Sequence, residues 1–242
     1  LKYACLVELL IVAFFYIKYT LTWRPILNKQ VAVRAFKIAL PILLSAIIGI
    51  VVNLSDRYFI EKYGSLKDLS VYNVALTFAG IIPFVFASFQ NIWLPEFLKS
   101  NDQDFTRRRT RKVILKLCVI FLVLSAIILG AMQLMLYWNI LDTKYSTVIS
   151  LLPLLLTASI LTSITTMYSN HLILLDKLYW IVIIGFPIAV LTYFSNIILV
   201  PRFSIYGAAI STVLSNGCYL VSYAILVTYL YNKKHSSSSS IA

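Results

Sequence analysis

Seven long runs of apolar residues, separated by short polar stretches, fill almost the whole chain: Ala4–Tyr19, Phe36–Ser55, Val71–Leu94, Val113–Leu136, Val148–Tyr168, Leu178–Val200 and Ile205–Leu230. A helix needs about 20 residues to cross a hydrocarbon core of ~30 Å, and most of these runs are that long. The pattern predicts an all-α fold, a polytopic transmembrane helix bundle of about seven spans. The first run is the shortest, and the chain opens on Leu1, so this run reads as a span that has lost its beginning. The serine run Ser236–Ser240 has nothing to pack with and is expected to be disordered.

Composition strengthens the membrane reading. Hydrophobic residues make up 60% of the 242 residues and charged residues 12%, about half the charged share of a soluble domain. A soluble fold of this size has too little interior to hide so much apolar surface, so lipid is the expected solvent. The net charge of +12 would suggest nucleic acid in a soluble protein. Here it points to cytoplasmic loops and anionic lipid headgroups, with no nucleic-acid partner.

Counting Lys and Arg loop by loop gives an orientation. One side holds Lys18, Arg24, Lys29, Arg34, Lys37, Lys99, Arg107–Arg109, Arg111, Lys112, Lys116, Lys177, Lys233 and Lys234. The other side holds only Lys2, Arg57, Lys62, Lys67, Lys144 and Arg202. The positive-inside rule places the richer side, and with it the C-terminus, in the cytoplasm. The run Arg107–Lys112 reads as a topology signal or as a site for an acidic partner or anionic lipid. Trp23, Trp93, Trp138 and Trp180 lie at or just beyond span ends, where an aromatic belt would form.

Polar residues inside the runs fall at helical spacings of three and four. The second run has Ser45, Gly49, Asn53 and then Asp56 and Arg57. The third has Asn73, Thr77, Gly80 and Asn91. The fifth has Ser159, Thr162, Ser163 and Thr166, with Ser169 and Asn170 just beyond. The sixth has Thr192, Ser195 and Asn196, and the seventh Ser211, Thr212, Ser215, Asn216 and Tyr219. Small and hydroxylated residues pack transmembrane helices closely. Asparagines and charges are more costly in lipid, and Asn53, Asn73 and Asn216 are candidates for a water-filled cavity. The fourth run is nearly dry and reads as a lipid-facing helix.

Three ionisable residues are candidates for chemistry. Glu8, a carboxylate inside the first run, is the candidate for ion coupling. Arg57 is the candidate for an anionic ligand such as phosphate; its alternative is an arginine snorkelling to the interface. Asp56 is read as orienting Arg57 or meeting another helix. Pro83, Pro153 and Pro187 are expected to kink their helices. Cys5, Cys118 and Cys218 lie far apart within spans and support neither a metal site nor a disulfide. No phosphate-loop motif, nucleophile–base pair or cofactor motif is present, and His171 and His235 are isolated. No enzyme, cofactor or metal is therefore expected.

Several segments, taken in order, resemble a known family. They are Ala39-Leu-Pro-Ile-Leu-Leu-Ser45 with Asn53-Leu-Ser-Asp-Arg-Tyr-Phe-Ile60; Tyr72-Asn-Val-Ala75 with Gln90-Asn-Ile-Trp-Leu-Pro-Glu96; and Asn196-Ile-Ile-Leu-Val-Pro201 with Phe203-Ser-Ile-Tyr-Gly-Ala-Ala-Ile-Ser-Thr212. Together they resemble the C-terminal half of O-antigen (Wzx-type) polysaccharide flippases, in the multidrug/oligosaccharidyl-lipid/polysaccharide exporter superfamily. The family usually has Gly where Ser204 stands and often Ala where Ser211 stands. The resemblance covers about residues 36–230.

This resemblance implies two six-helix lobes around a central cavity. Residues 1–19 would be the last helix of a truncated first lobe and 20–35 a cytoplasmic linker. Residues 36–231 would be the complete second lobe and 232–242 a disordered cytoplasmic tail. The implied function is flipping a polyprenyl-diphosphate-linked oligosaccharide, an O-antigen or capsule repeat unit, across the bacterial cytoplasmic membrane by alternating access. Arg57 would then meet diphosphate or acidic sugar, with Asp56, Asn53, Asn73 and Asn216 as further substrate contacts. The implied partners are the lipid-linked substrate, membrane lipids, the N-terminal lobe, and the polysaccharide polymerase and glycosyltransferases that act beside it. Four alternatives stay open: a cation-coupled multidrug exporter using Glu8, a lipid-II flippase, a membrane polymerase or acyltransferase, and a half-protein that does not transport.

Overall fold

The computed structural model describes residues 2–22, 28–99, 103–138, 140 and 145–239. These form eight helices and no strand: α1 Lys2–Thr22, α2 Lys29–Tyr63, α3 Leu66–Ala79, α4 Ile81–Lys99, α5 Gln103–Tyr137, α6 Ser146–Leu174, α7 Tyr179–Phe203 and α8 Ile205–Ser239. The chain divides into two compact units, Leu1–Leu40 and Pro41–Ala242. The division falls inside α2 at Pro41, several residues later than the lobe start expected at Phe36. Trp23 and Arg24, in the expected linker, lie outside the described residues, as does Ser240 in the expected tail. The backbone of α8 is helical to Ser239, where the sequence predicts disorder after Tyr231. Each residue added to an existing helix gains a backbone hydrogen bond without a new nucleation step.

Six helical spans among the described residues are long and apolar enough to cross a membrane, rather than the expected seven. α1 is not among them. The expected third run is one span made of two helices, α3 and α4, broken at Gly80. Pro83 has no N–H to offer the Ala79 carbonyl, and its ring crowds that carbonyl. The chain therefore restarts as a new helix, with Pro83 in its first turn, where a missing N–H is harmless. α3 begins with a capping box: Asp68 N–H donates to Ser65 Oγ at 3.1 Å and Ser65 N–H to the Asp68 carboxylate at 3.1 Å.

In the second unit α6 and α8 pack along one another, α7 packs on α8, and α3, α4 and α5 pack on α6. Tyr72, Ile82, Phe121, Met132, Leu151, Leu155 and Met167 are fully buried in the main core. The outer face of α5 exposes Leu115, Val119, Leu122, Val123 and Ile127. α8 approaches α7 closely because the residues set against it are small: Gly207, Ser211 and Ser215, spaced four apart on one face, are all buried. Ser211 donates to the Thr192 carbonyl at 3.4 Å, and the Thr192 and Ser215 hydroxyls pair at 2.7 Å.

Two loops need backbone in the left-handed half of φ space. Asp176, just past α6, has φ 55°. Lys177 N–H reaches Leu172 O at 2.9 Å and Asp176 N–H reaches Ile173 O at 3.1 Å, closing the end of α6 in a Schellman motif. Ser204, between α7 and α8, has φ 50° and ψ −130°. Only glycine adopts that region without strain.

Trp93 departs from the expected aromatic belt. It is buried, stacked on Phe89 at 5.8 Å, with the Arg109 guanidinium 5.2 Å from its ring. Trp138 is exposed and Trp180 half-buried.

Candidate functional site

The residues of α2 from Pro41 onward meet the α6–α7–α8 cluster chiefly through side chains. Phe59 sets its ring edge-on to Tyr193 at 5.3 Å, and Asp56 reaches three other helices. The gap beside α2 is a cavity of about 410 Å³. Ser45, Gly49, Asn53 and Asp56 line it from α2, Thr162, Thr165, Thr166 and Ser169 from α6, Gly185 from α7, and Thr212, Ser215, Asn216 and Tyr219 from α8. Most of these positions belong to the polar stripes seen in the sequence.

The wall is rich in hydrogen-bond acceptors. Thr162, Thr165, Thr166 and Ser169 each donate their hydroxyl hydrogen back to a carbonyl of α6, at 2.8–3.0 Å. Asn53 donates its amide to Gly49 O at 2.8 Å and Asn216 to Ala158 O at 3.4 Å. With these hydroxyl hydrogens turned to the backbone, the hydroxyl and amide oxygens remain as acceptors, beside the second amide hydrogen of each asparagine.

Asp56 is the one acidic or basic residue in the lining among the described residues, and it is 5% exposed. Tyr72 OH donates to its carboxylate at 3.2 Å, Thr212 Oγ1 at 2.9 Å and Asn196 Nδ2 at 2.6 Å, so α3, α8 and α7 converge on one side chain of α2. Asn196 also donates to Ser55 Oγ at 3.1 Å, while its own carbonyl oxygen is buried without a partner among the described residues. No described cation pairs with Asp56. The ion pair shown among the described residues is Arg109–Glu96, at 2.6 Å.

The candidates from the sequence therefore separate. Asp56, Asn53 and Asn216 share the cavity. Arg57 is exposed and outside its lining, with no hydrogen bond or ion pair to Asp56. Asn73 lines a separate shallow groove with Ser70 and Thr77. Glu8 is exposed on α1, in the other unit. Tyr72 and Thr212 were not separable from packing residues in the sequence; the signal was the coincidence of one intramembrane carboxylate with polar stripes on three other spans. Asn170 is buried against α4, where its Oδ1 accepts from Gln90 at 2.9 Å. Among the described residues no His/Cys/Asp/Glu group could hold a metal ion. Compared with protein-family models, curated proteins and solved structures, the chain matches none of them.

Proposed function

We propose that this chain is the second lobe of a bacterial cytoplasmic-membrane transporter, with its C-terminus in the cytoplasm. Its cargo is a polyprenyl-diphosphate-linked oligosaccharide, flipped by alternating access. The observation that carries the reading is the acceptor-rich wall of the cavity. Sugars are dense in O–H donors, and a wall of hydroxyl, amide and carboxylate oxygens complements them inside helices whose outer faces are apolar. The lipid tail needs no protein and stays in the bilayer. Among the described residues the cavity lining has no cation to hold a diphosphate. Arg57, on the exposed side of α2, is the cation that a diphosphate between two lobes would meet.

Asp56 favours a second element, ion coupling, and would serve a cation-coupled exporter of the same superfamily equally. An intramembrane carboxylate held only by neutral donors is poised to exchange those donors for a proton. This moves the coupling role from Glu8, the sequence candidate, to Asp56.

The test reconstitutes the full transporter in vesicles with a fluorescent lipid-linked oligosaccharide and follows its loss of access to an external quencher. Flipping is expected, with Asn216→Leu slowing it about 10-fold or more. That factor corresponds to roughly one lost hydrogen bond in a desolvated site. Transport of a cationic dye with no flipping of the lipid-linked sugar would overturn the substrate in favour of the exporter. Substrate-driven proton uptake that survives Asp56→Asn would remove the coupling role.

A further inference from the structure

A second cavity, of about 560 Å³, opens at the end of the bundle where basic residues are densest. Arg108, Thr110 and Arg111 line it from α5, Tyr168 and His171 from α6, and Thr228 from α8, with Ile114 and Val227 supplying apolar wall. We propose that it is a binding site for a phosphate ester anion at the membrane–water boundary.

Three observations converge on phosphate. First, Arg108 and Arg111 are three residues apart on α5, so both fall on one helix face. Their neighbour Arg109 points elsewhere, paired with Glu96 and set over Trp93. Of three consecutive arginines, one is neutralised and another is left to the cavity together with Arg111. Second, among the described residues no carboxylate lines the cavity and neither Arg108 nor Arg111 has an acidic partner. A planar guanidinium fork matches phosphate oxygens, and two forks at one site favour a dianion or diester over a diffuse counter-ion cloud. Third, the inner wall is rigid. His171 is 2% exposed, its Nδ1 lies 2.9 Å from Tyr231 OH, and its ring is clamped edge-on between Phe97 and Tyr231. A basic pocket between membrane-spanning helices is the geometry that captures anionic headgroups. The volume far exceeds a bare phosphate and leaves room for the group esterified to it.

The phosphate has two sources, membrane lipid or soluble ester, and the experiment separates them. The full chain, delipidated in detergent, is titrated with phosphatidylglycerol or phosphatidylcholine of identical acyl chains, and bound lipid is counted by native mass spectrometry. A parallel thermal melt uses inorganic phosphate and glycerol 3-phosphate. For a lipid source, phosphatidylglycerol binds about 10-fold or more tighter than phosphatidylcholine. The preference disappears in Arg108→Gln/Arg111→Gln. For a soluble source, the lipids bind alike, and the soluble phosphates raise the melting temperature in wild type but not in that variant. Lys112→Gln/Lys116→Gln removes the same charge from outside the cavity lining and is expected to leave either signal intact. If that control loses as much as the arginine variant, or if neither signal depends on Arg108 and Arg111, surface charge alone accounts for the patch and the site is refuted. Both variants change exposed residues, and their helicity is checked by circular dichroism.

Discussion

Replacing Asp56 by alanine removes the acceptor that joins four helices, and the consequences can be worked donor by donor. Thr212 is not stranded, because its hydroxyl already lies 2.9 Å from Ala208 O. One hydrogen of the Asn196 amide stays with Ser55. Two donors remain unpaired, the other Asn196 hydrogen and the hydroxyl of Tyr72, both on residues with no solvent exposure. A stranded buried donor costs about 1–3 kcal/mol, so Asp56→Ala should lose about 2–6 kcal/mol. At about 2–4 °C per kcal/mol for a chain of this length, that is a melting-temperature drop of roughly 4–24 °C. Tyr72→Phe supplies the internal check. In the wild type it removes a hydrogen bond to a charged group and should cost about 1.5–3 kcal/mol. In the Asp56→Ala background it removes the stranded hydroxyl and should recover about 1–3 kcal/mol. Unfolding of the detergent-solubilised protein can be followed with a thiol-reactive dye, since Cys118 and Cys218 are free and half-buried. If Tyr72→Phe costs the same in both backgrounds, the Tyr72–Asp56 bond contributes nothing. A coupling near ~0.6 kcal/mol, the average for interhelical hydrogen bonds in a membrane, would mean that the bond is not charge-assisted.

Ser204→Gly should stabilise the protein by about 1–3 kcal/mol by relieving the backbone at φ 50°, seen as a higher melting temperature; an unchanged value would mean that the turn carries no strain. Gly207→Ala should be severely destabilising, since its Cβ would clash with Leu199 O and lie 2.9 Å from Val200 N, atoms of helix backbone that move only if α7 and α8 separate. Overpacking of this kind costs about 1–3 kcal/mol or more, and a wild-type melt for this variant would contradict the close approach. In the intact transporter Arg57→Ala should abolish flipping while Arg57→Lys retains part of it, because lysine keeps the charge and loses the fork; full activity in the alanine variant would remove Arg57 from the diphosphate role.

By itself the sequence determined the all-helical, membrane-spanning class, because the length and apolarity of a crossing helix are local properties, written in some 20 consecutive residues. It also marked the polar stripes, since helical spacing alone decides which residues share a face. It predicted seven runs, of which six are spans among the described residues. Pro83 announced a perturbation, but whether it would kink one helix or divide it in two depended on Gly80 and the backbone around it. The partners of Asp56 were beyond local reach: Tyr72, Asn196 and Thr212 lie 16, 140 and 156 residues away, and only the packing of α3, α7 and α8 brings them to one carboxylate. The same holds for His171 and Thr228, which look isolated along the chain and share a cavity with Arg108 and Arg111. Tertiary structure decided which of the polar residues converge and which face away, because convergence depends on the relative rotation of packed helices, and no single helix records its neighbour's rotation.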